Sequence, residues 1–172
     1  MRHCDPDSGP LLARFCPHVA NRSHGPLNAQ VHHNRITHVQ GSTMKSLVAE
    51  DDATNRKLLQ TFLSRYGECD IAIDGNEAVS AVLLALQNHH PYDLVCMDLR
   101  MPRMDGQEAI RVIRRQEATT QAGKTAKIIV TTIHTDTESI ATALLGRCDA
   151  YLVKPIDTAK LKKELSALGL IQ

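Results

Sequence analysis

The sequence predicts a doubly wound α/β domain, a five-stranded parallel sheet with helices on both faces, beginning at Met44. Two observations carry this. Short apolar runs alternate with segments of helical spacing five times in about 129 residues. The runs are continuous rather than alternating, as in strands covered by helices on both sides.

Ser46–Ala49 (SLVA) is the first run. Asn55–Tyr66 places Leu58, Leu59, Phe62, Leu63 and Tyr66 on one helical face, and Gly67 is a suitable stop. Cys69–Ile73 is a second strand. After the Asp74-Gly75 turn, Asn76–Gln87 is rich in Ala, Val and Leu and reads as a helix. Asp93–Met97 is the third strand, and Gly106–Gln116 the helix after it. Lys127–Thr132 (KIIVTT) is strongly β-branched and is the fourth strand. A helix over Thr137–Leu145 and a fifth strand over Asp149–Val153 follow. Asp157–Leu168 closes as a helix with Leu161, Leu165 and Leu168 at i, i+4 and i+7. For five such units the flavodoxin-like strand order 2-1-3-4-5 is the natural one.

The chain has 172 residues and a formal net charge of +1, so bulk attraction to nucleic acid or membranes is not expected. No apolar run approaches the roughly 18–20 residues of a transmembrane helix. The five cysteines are scattered without a C-x-x-C pair, which suits reduced thiols in a cytoplasm.

Residues 1–43 differ in kind. They hold six of the nine His and four of the seven Pro, with no periodic pattern. Cys4, Cys16, His18, His24, His32 and His33 fit no familiar zinc-finger spacing. The segment reads as a disordered N-terminal extension, or as reading frame ahead of a translation start at Met44.

In a parallel sheet, ligands bind outside the carboxyl ends of the strands. After SLVA come Glu50, Asp51 and Asp52; after LVCM comes Asp98; the fourth run ends at Thr132; after AYLV come Lys154 and Pro155. Singly, each has a bland reading: a helix cap, a turn former, a solvated lysine. Together at one sheet edge they make an oxygen-rich site that demands a cation. A hard ion such as Mg²⁺ suits it, and metal plus lysine suits a phosphoryl group.

These residues resemble the receiver domain of two-component response regulators over about three quarters of the chain. The motifs are the acidic pair after the first strand, D-x-x-M-P-x-M-D-G after the third, a Thr ending the fourth, and Tyr-x-x-Lys-Pro at the fifth. The resemblance implies that Asp98 is the phosphoacceptor. It implies that Glu50, Asp51, Asp98 and the Arg100 backbone carbonyl hold Mg²⁺, with Asp52 less important. Lys154 would contact the phosphoryl oxygens. Thr132 would be the switch hydroxyl and Tyr151 the aromatic that turns inward. Asp105-Gly106 would be a structural turn, Pro102 would shape the loop, and the Lys154–Pro155 bond would be cis. Arg100 and His134 would flank the path of a hydrolytic water.

Two departures stand out. Ile133 follows the switch Thr where the family usually has a small residue, which could narrow access; taking Thr131 as the switch instead would break the spacing to Lys154. The polar stretch between Gln116 and Lys127 reads as a loop insertion.

The function expected is a single-domain response regulator. It would accept a phosphoryl group from a sensor histidine kinase or histidine phosphotransfer protein and switch its binding to a downstream protein. It would catalyse only its own phosphorylation and dephosphorylation. Two rivals are a degenerate receiver that binds partners without phosphorylation and a hydrolase of the haloacid dehalogenase class. The latter wants an Asp where Arg100 stands.

Overall fold

The computed structural model describes residues 43–120, 123–133 and 147–172. The extension up to residue 42, His134 and the helix expected over Thr137–Leu145 lie outside the described residues. Five strands are present: β1 (Ser46–Ala49), β2 (Cys69–Ala72), β3 (Leu94–Asp98), β4 (Lys127–Thr132) and β5 (Ala150–Val153). The described helices are α1 (Ala53–Leu63), α2 (Gly75–Gln87), α3 (Gly106–Thr119) and α4 (Thr158–Ala167). The sheet is parallel in the order β2-β1-β3-β4-β5, as the sequence predicts.

Alternation along each strand divides the core in two. Leu47, Val95, Met97, Ile128 and Val130 meet Val82, Ala85, Ile110 and Ile113 of α2 and α3. Val48, Leu94, Cys96, Ile129 and Leu152 meet Leu59, Phe62, Leu63, Leu161 and Leu165 of α1 and α4. The inner strands β1 and β3 are buried at every position, and this is why they read as unbroken apolar runs. Truncating one of these side chains, such as Ile110 or Leu161, costs about 2–5 kcal/mol. No described helix is long and apolar enough to cross a membrane.

Every described helix starts at an aspartate whose carboxylate accepts a backbone N–H. The pairs are Asp52 with Asn55, Asp74 with Glu77, Asp105 with Glu108 and Asp157 with Ala159, each at 2.8 Å. Such a cap contributes about 1 kcal/mol by satisfying a donor the helix leaves free. The caps explain why α1 begins at Ala53 and not at Asn55. At the other end, α1 stops at Leu63, and Tyr66 belongs to the turn that passes its carbonyl to Met44 N at 3.0 Å.

The stretch after Gln116 is partly helical, because α3 continues to Thr119. The reason is Glu117, which is buried despite its charge. Its Oε1 accepts Ala126 N at 2.7 Å and its Oε2 accepts an Arg114 guanidinium N–H at 2.7 Å. Arg114 also donates to the Ala126 and Arg147 carbonyls and to Asp149. This network ties the end of α3 to the amino-terminal ends of β4 and β5, the edge opposite the acidic residues.

Candidate phosphoryl and metal site

β3 ends one residue later than its apolar pattern suggests, because Asp98 still pairs in register with Thr131. The strand therefore delivers a carboxylate, 4% exposed, to the carboxyl edge of the sheet. Gly106 holds the following loop close: a Cβ there would lie 2.0 Å from the Asp98 carbonyl oxygen. The Arg100 N–H donates to Asp98 Oδ1 at 3.2 Å, which fixes one face of the carboxylate.

β1 delivers Glu50, which is fully buried, and then Asp51, which is exposed. One oxygen each from Glu50, Asp51 and Asp98 lie within 4.8 Å of one another. β5 delivers Lys154 across the same edge. Its Nζ donates to Asp98 Oδ2 at 2.7 Å and to Glu50 Oε1 at 2.9 Å. Glu50 Oε2 is also 2.9 Å from the ammonium, yet it receives no aligned hydrogen bond and is closed off from solvent. The Asp52 N–H reaches Glu50 Oε1 at 3.3 Å.

Three carboxylates thus face one ammonium. Burial pushes the Glu50 carboxyl above the ordinary glutamate range; the Lys154 hydrogen bond opposes this and the Asp98 charge adds to it. For Lys154, burial alone would lower the pKa, but hydrogen bonds and charge from Asp98 and Glu50 hold it above the ordinary lysine value. Lys154 keeps its charge because it meets both Asp98 and Glu50, whereas for Glu50 the one ammonium works against burial and the Asp98 charge. The uncompensated negative charge, the all-oxygen donors and the orphaned Glu50 Oε2 fit a hard divalent cation.

Thr132 is buried at the end of β4, and its carbonyl accepts Lys154 N at 2.7 Å. Thr131 is buried too, and among the described residues its hydroxyl has no hydrogen-bond partner. Tyr151 is 47% exposed and pairs with Val130. Ile133 is 56% exposed, so its bulk is turned largely to water. Asp52 serves as the α1 cap and Asp105 as the α3 cap. The Lys154–Pro155 bond is cis.

Two contacts have no counterpart in the sequence reading. Arg56 of α1 donates to the Glu50 and Asp51 carbonyls at 2.8 and 2.9 Å, bracing the acidic turn from behind. Arg103, in the loop after Asp98, pairs with the buried Asp74. Neither arginine has a spacing that distinguishes it from a solvated side chain.

The fold and the cluster define a class: a doubly wound domain with an acidic pocket and a lysine at the strand ends. Residues 47–166 match the family model described as the response regulator receiver domain. The chain belongs to that family. It is 31% identical over 127 residues to the osmosensing histidine protein kinase SLN1 of Saccharomyces cerevisiae, covering 73% of this chain and 10% of that protein. The chain therefore spans about a tenth of that relative's length.

Among solved structures, the receiver domain of the histidine kinase CKI1 from Arabidopsis thaliana, complexed with Mg²⁺ and BeF₃⁻, aligns with a TM-score of 0.65. The identity is 28%, over 73% of this chain and 89% of that one. The receiver domain of sensor histidine kinase PA1611 from Pseudomonas aeruginosa PAO1 aligns with a TM-score of 0.60 and 27% identity, over 74% and 99% of the chains. That structure has a magnesium ion coordinated in its active-site cleft.

Proposed function

We propose that this chain is a phosphorylation switch. Asp98 takes a phosphoryl group from a phosphohistidine on a sensor histidine kinase or a histidine phosphotransfer protein, and the altered surface binds a downstream protein. The single observation that carries this reading is the convergence of Asp98, Glu50 and Asp51 within 4.8 Å, with Lys154 Nζ 2.7 Å from Asp98.

Glu50, Asp51, Asp98 and the Arg100 carbonyl are the groups that would hold Mg²⁺. When bound, it supplies positive charge to the phosphoryl oxygens and lowers the cost of bringing them to a carboxylate. The protein's part is nucleophilic. An Asp98 carboxylate oxygen forms the new O–P bond, the P–N bond to the partner's imidazole breaks, and the electron pair stays on that ring nitrogen. Lys154 exchanges its contact with Asp98 Oδ2 for a phosphoryl oxygen, so its charge follows the group being transferred. The Thr132 hydroxyl then donates to the same group. Its displacement makes room for Tyr151, now half in solvent, to turn inward. Attack of water on the acyl phosphate returns the Asp98 carboxylate and releases inorganic phosphate.

Incubation with acetyl phosphate and Mg²⁺, followed by intact mass measurement, tests the reading. Wild-type protein gains the mass of one phosphoryl group, and Asp98→Asn does not. An unmodified wild type, or equal modification of Asp98→Asn, refutes it.

A further inference from the structure

We infer that Arg103, clasped by Asp74, is a positioning residue for Asp98. The inference rests on the proposed role of Asp98. Arg103 has φ +65°, the left-handed region that suits glycine and is uncommon for a long side chain. In that conformation the guanidinium reaches the junction of β2 and α2 and binds Asp74 Oδ2 through Nε and a terminal nitrogen.

Asp74 is 1% exposed, and its other oxygen caps α2 through Glu77 N. Among the described residues, Arg103 is the cation that this buried carboxylate meets. A second anchor lies beside the first: Gly75 N donates to the Met104 carbonyl at 3.2 Å. A Cβ at Gly75 would sit 2.5 Å from that oxygen, so the two backbones are in direct contact. Two consecutive loop residues, 103 and 104, are thus fastened to the start of α2.

The other end of this loop orients the nucleophile. Leu99 N reaches the Thr131 carbonyl at 3.3 Å, Gly106 N reaches the Leu99 carbonyl at 3.0 Å, and Arg100 N reaches Asp98 Oδ1 at 3.2 Å. The last bond leaves Oδ2 to Lys154. Met104 keeps its bond to Gly75 when Arg103 is released, so the span between Leu99 and Met104 is what gains freedom, and Arg100 within it can turn its N–H away from Asp98. The clasp therefore acts through Arg100 on the carboxylate. Arg103 itself is 55% exposed in its side chain, and its replacement leaves no hole in the core.

The test uses the full chain and three variants: Arg103→Ala, Arg103→Gly and Asp74→Asn with Arg103→Ala. The readouts are the Arg100 amide resonance, the Mg²⁺ dissociation constant and the rate of phosphoryl uptake from acetyl phosphate. In Arg103→Ala the amide resonance shifts, and binding and uptake weaken by about tenfold, the usual scale for groups that orient ligands at second hand. Arg103→Gly is as impaired as Arg103→Ala, although it relieves the backbone, and the double variant is no worse than the single one. The inference is overturned if Arg103→Ala lowers only the unfolding temperature, or if Arg103→Gly matches wild type. A wild type that takes up no phosphoryl group refutes the role of Asp98; the amide resonance and Mg²⁺ titration still test the clasp.

Discussion

Lys154 Nζ bridges Asp98 Oδ2 at 2.7 Å and Glu50 Oε1 at 2.9 Å, joining residues 56 and 104 positions apart. The lysine is thus the counterion of the acidic pocket and the competitor of any cation that enters it. Lys154→Met separates these roles. It leaves two buried carboxylates without their ammonium, and removing one partner of a buried pair costs about 3–5 kcal/mol. Mg²⁺ restores the missing charge, so the variant binds it more tightly than wild type and is stabilised by it more strongly. Phosphoryl uptake nonetheless falls at least tenfold. Calorimetric Mg²⁺ titration, urea unfolding with and without Mg²⁺, and the rate of uptake from acetyl phosphate check the three outcomes in turn.

Glu50 has the opposite balance. Burial holds its carboxyl above the ordinary glutamate range, so the folded state binds a proton more readily than the unfolded one. Stability from this group is complete below the unfolded value and is lost as pH rises through the folded one. Glu50→Gln removes that loss. The variant is more stable than wild type at neutral pH, its stability falls less between acid and neutral pH, and its Mg²⁺ affinity is lower. Denaturant midpoints across that window decide it; a less stable Glu50→Gln at pH 7 contradicts the argument.

Cys96 lies wholly inside the sheet, and burial pushes its thiol up to about 12. Cys69 and Cys148 are only half-buried. A thiol reagent with peptide mapping therefore labels Cys69 and Cys148 well before Cys96, which reacts only as the protein unfolds. A raised folded pKa also means stability falls as pH climbs above the ordinary thiol value, by up to about 1.4 kcal/mol per unit from this group. Cys96→Ala is less stable at pH 7 but flatter above pH 9.

Glu117→Ala strands the buried Ala126 N–H and removes one of the two hydrogen bonds of Arg114 Nη1, which keeps the Ala126 carbonyl. Leaving such groups unpaired costs about 1–3 kcal/mol. The network lies at the edge opposite Asp98, so phosphoryl uptake is unchanged under conditions where the variant is folded. Parallel unfolding and uptake assays check this, and a slowed uptake in folded protein counts against it.

The inner strands β1 and β3 were legible because they are buried at every position, and the edge strands β2 and β5 because their exposed positions still carry Ile71, Tyr151 and Val153. The rim residues were legible for a related reason. A carboxylate, hydroxyl or lysine closing an apolar strand stands out, and parallel strands send all such ends to one edge. The Asp74–Arg103 clasp was not, because an ion pair between a buried carboxylate and an arginine 29 residues away writes no periodicity into either segment. Asp74 read as part of a turn with Gly75, and nothing in the sequence singled out Arg103. Glu117 was hidden in a polar stretch, where burial of a charge depends on Ala126, just ahead of β4, and on Arg114. The starts of α1 and α2 were placed two residues and one residue late, since their apolar pattern begins after the capping aspartate, whereas α3 starts at Gly106 as expected and α4 starts one residue after the expected Asp157.

The central claim is that Glu50, Asp51, Asp98 and Lys154 together seat a divalent cation and a phosphoryl group. A crystal structure of this chain grown with Mg²⁺ and BeF₃⁻ tests it most directly. The account predicts beryllium bonded to Asp98, the cation among the three carboxylates, and Lys154 turned from Asp98 to a fluorine. Beryllofluoride on another residue, or Lys154 still bridging Glu50 and Asp98 with no cation bound, would contradict it.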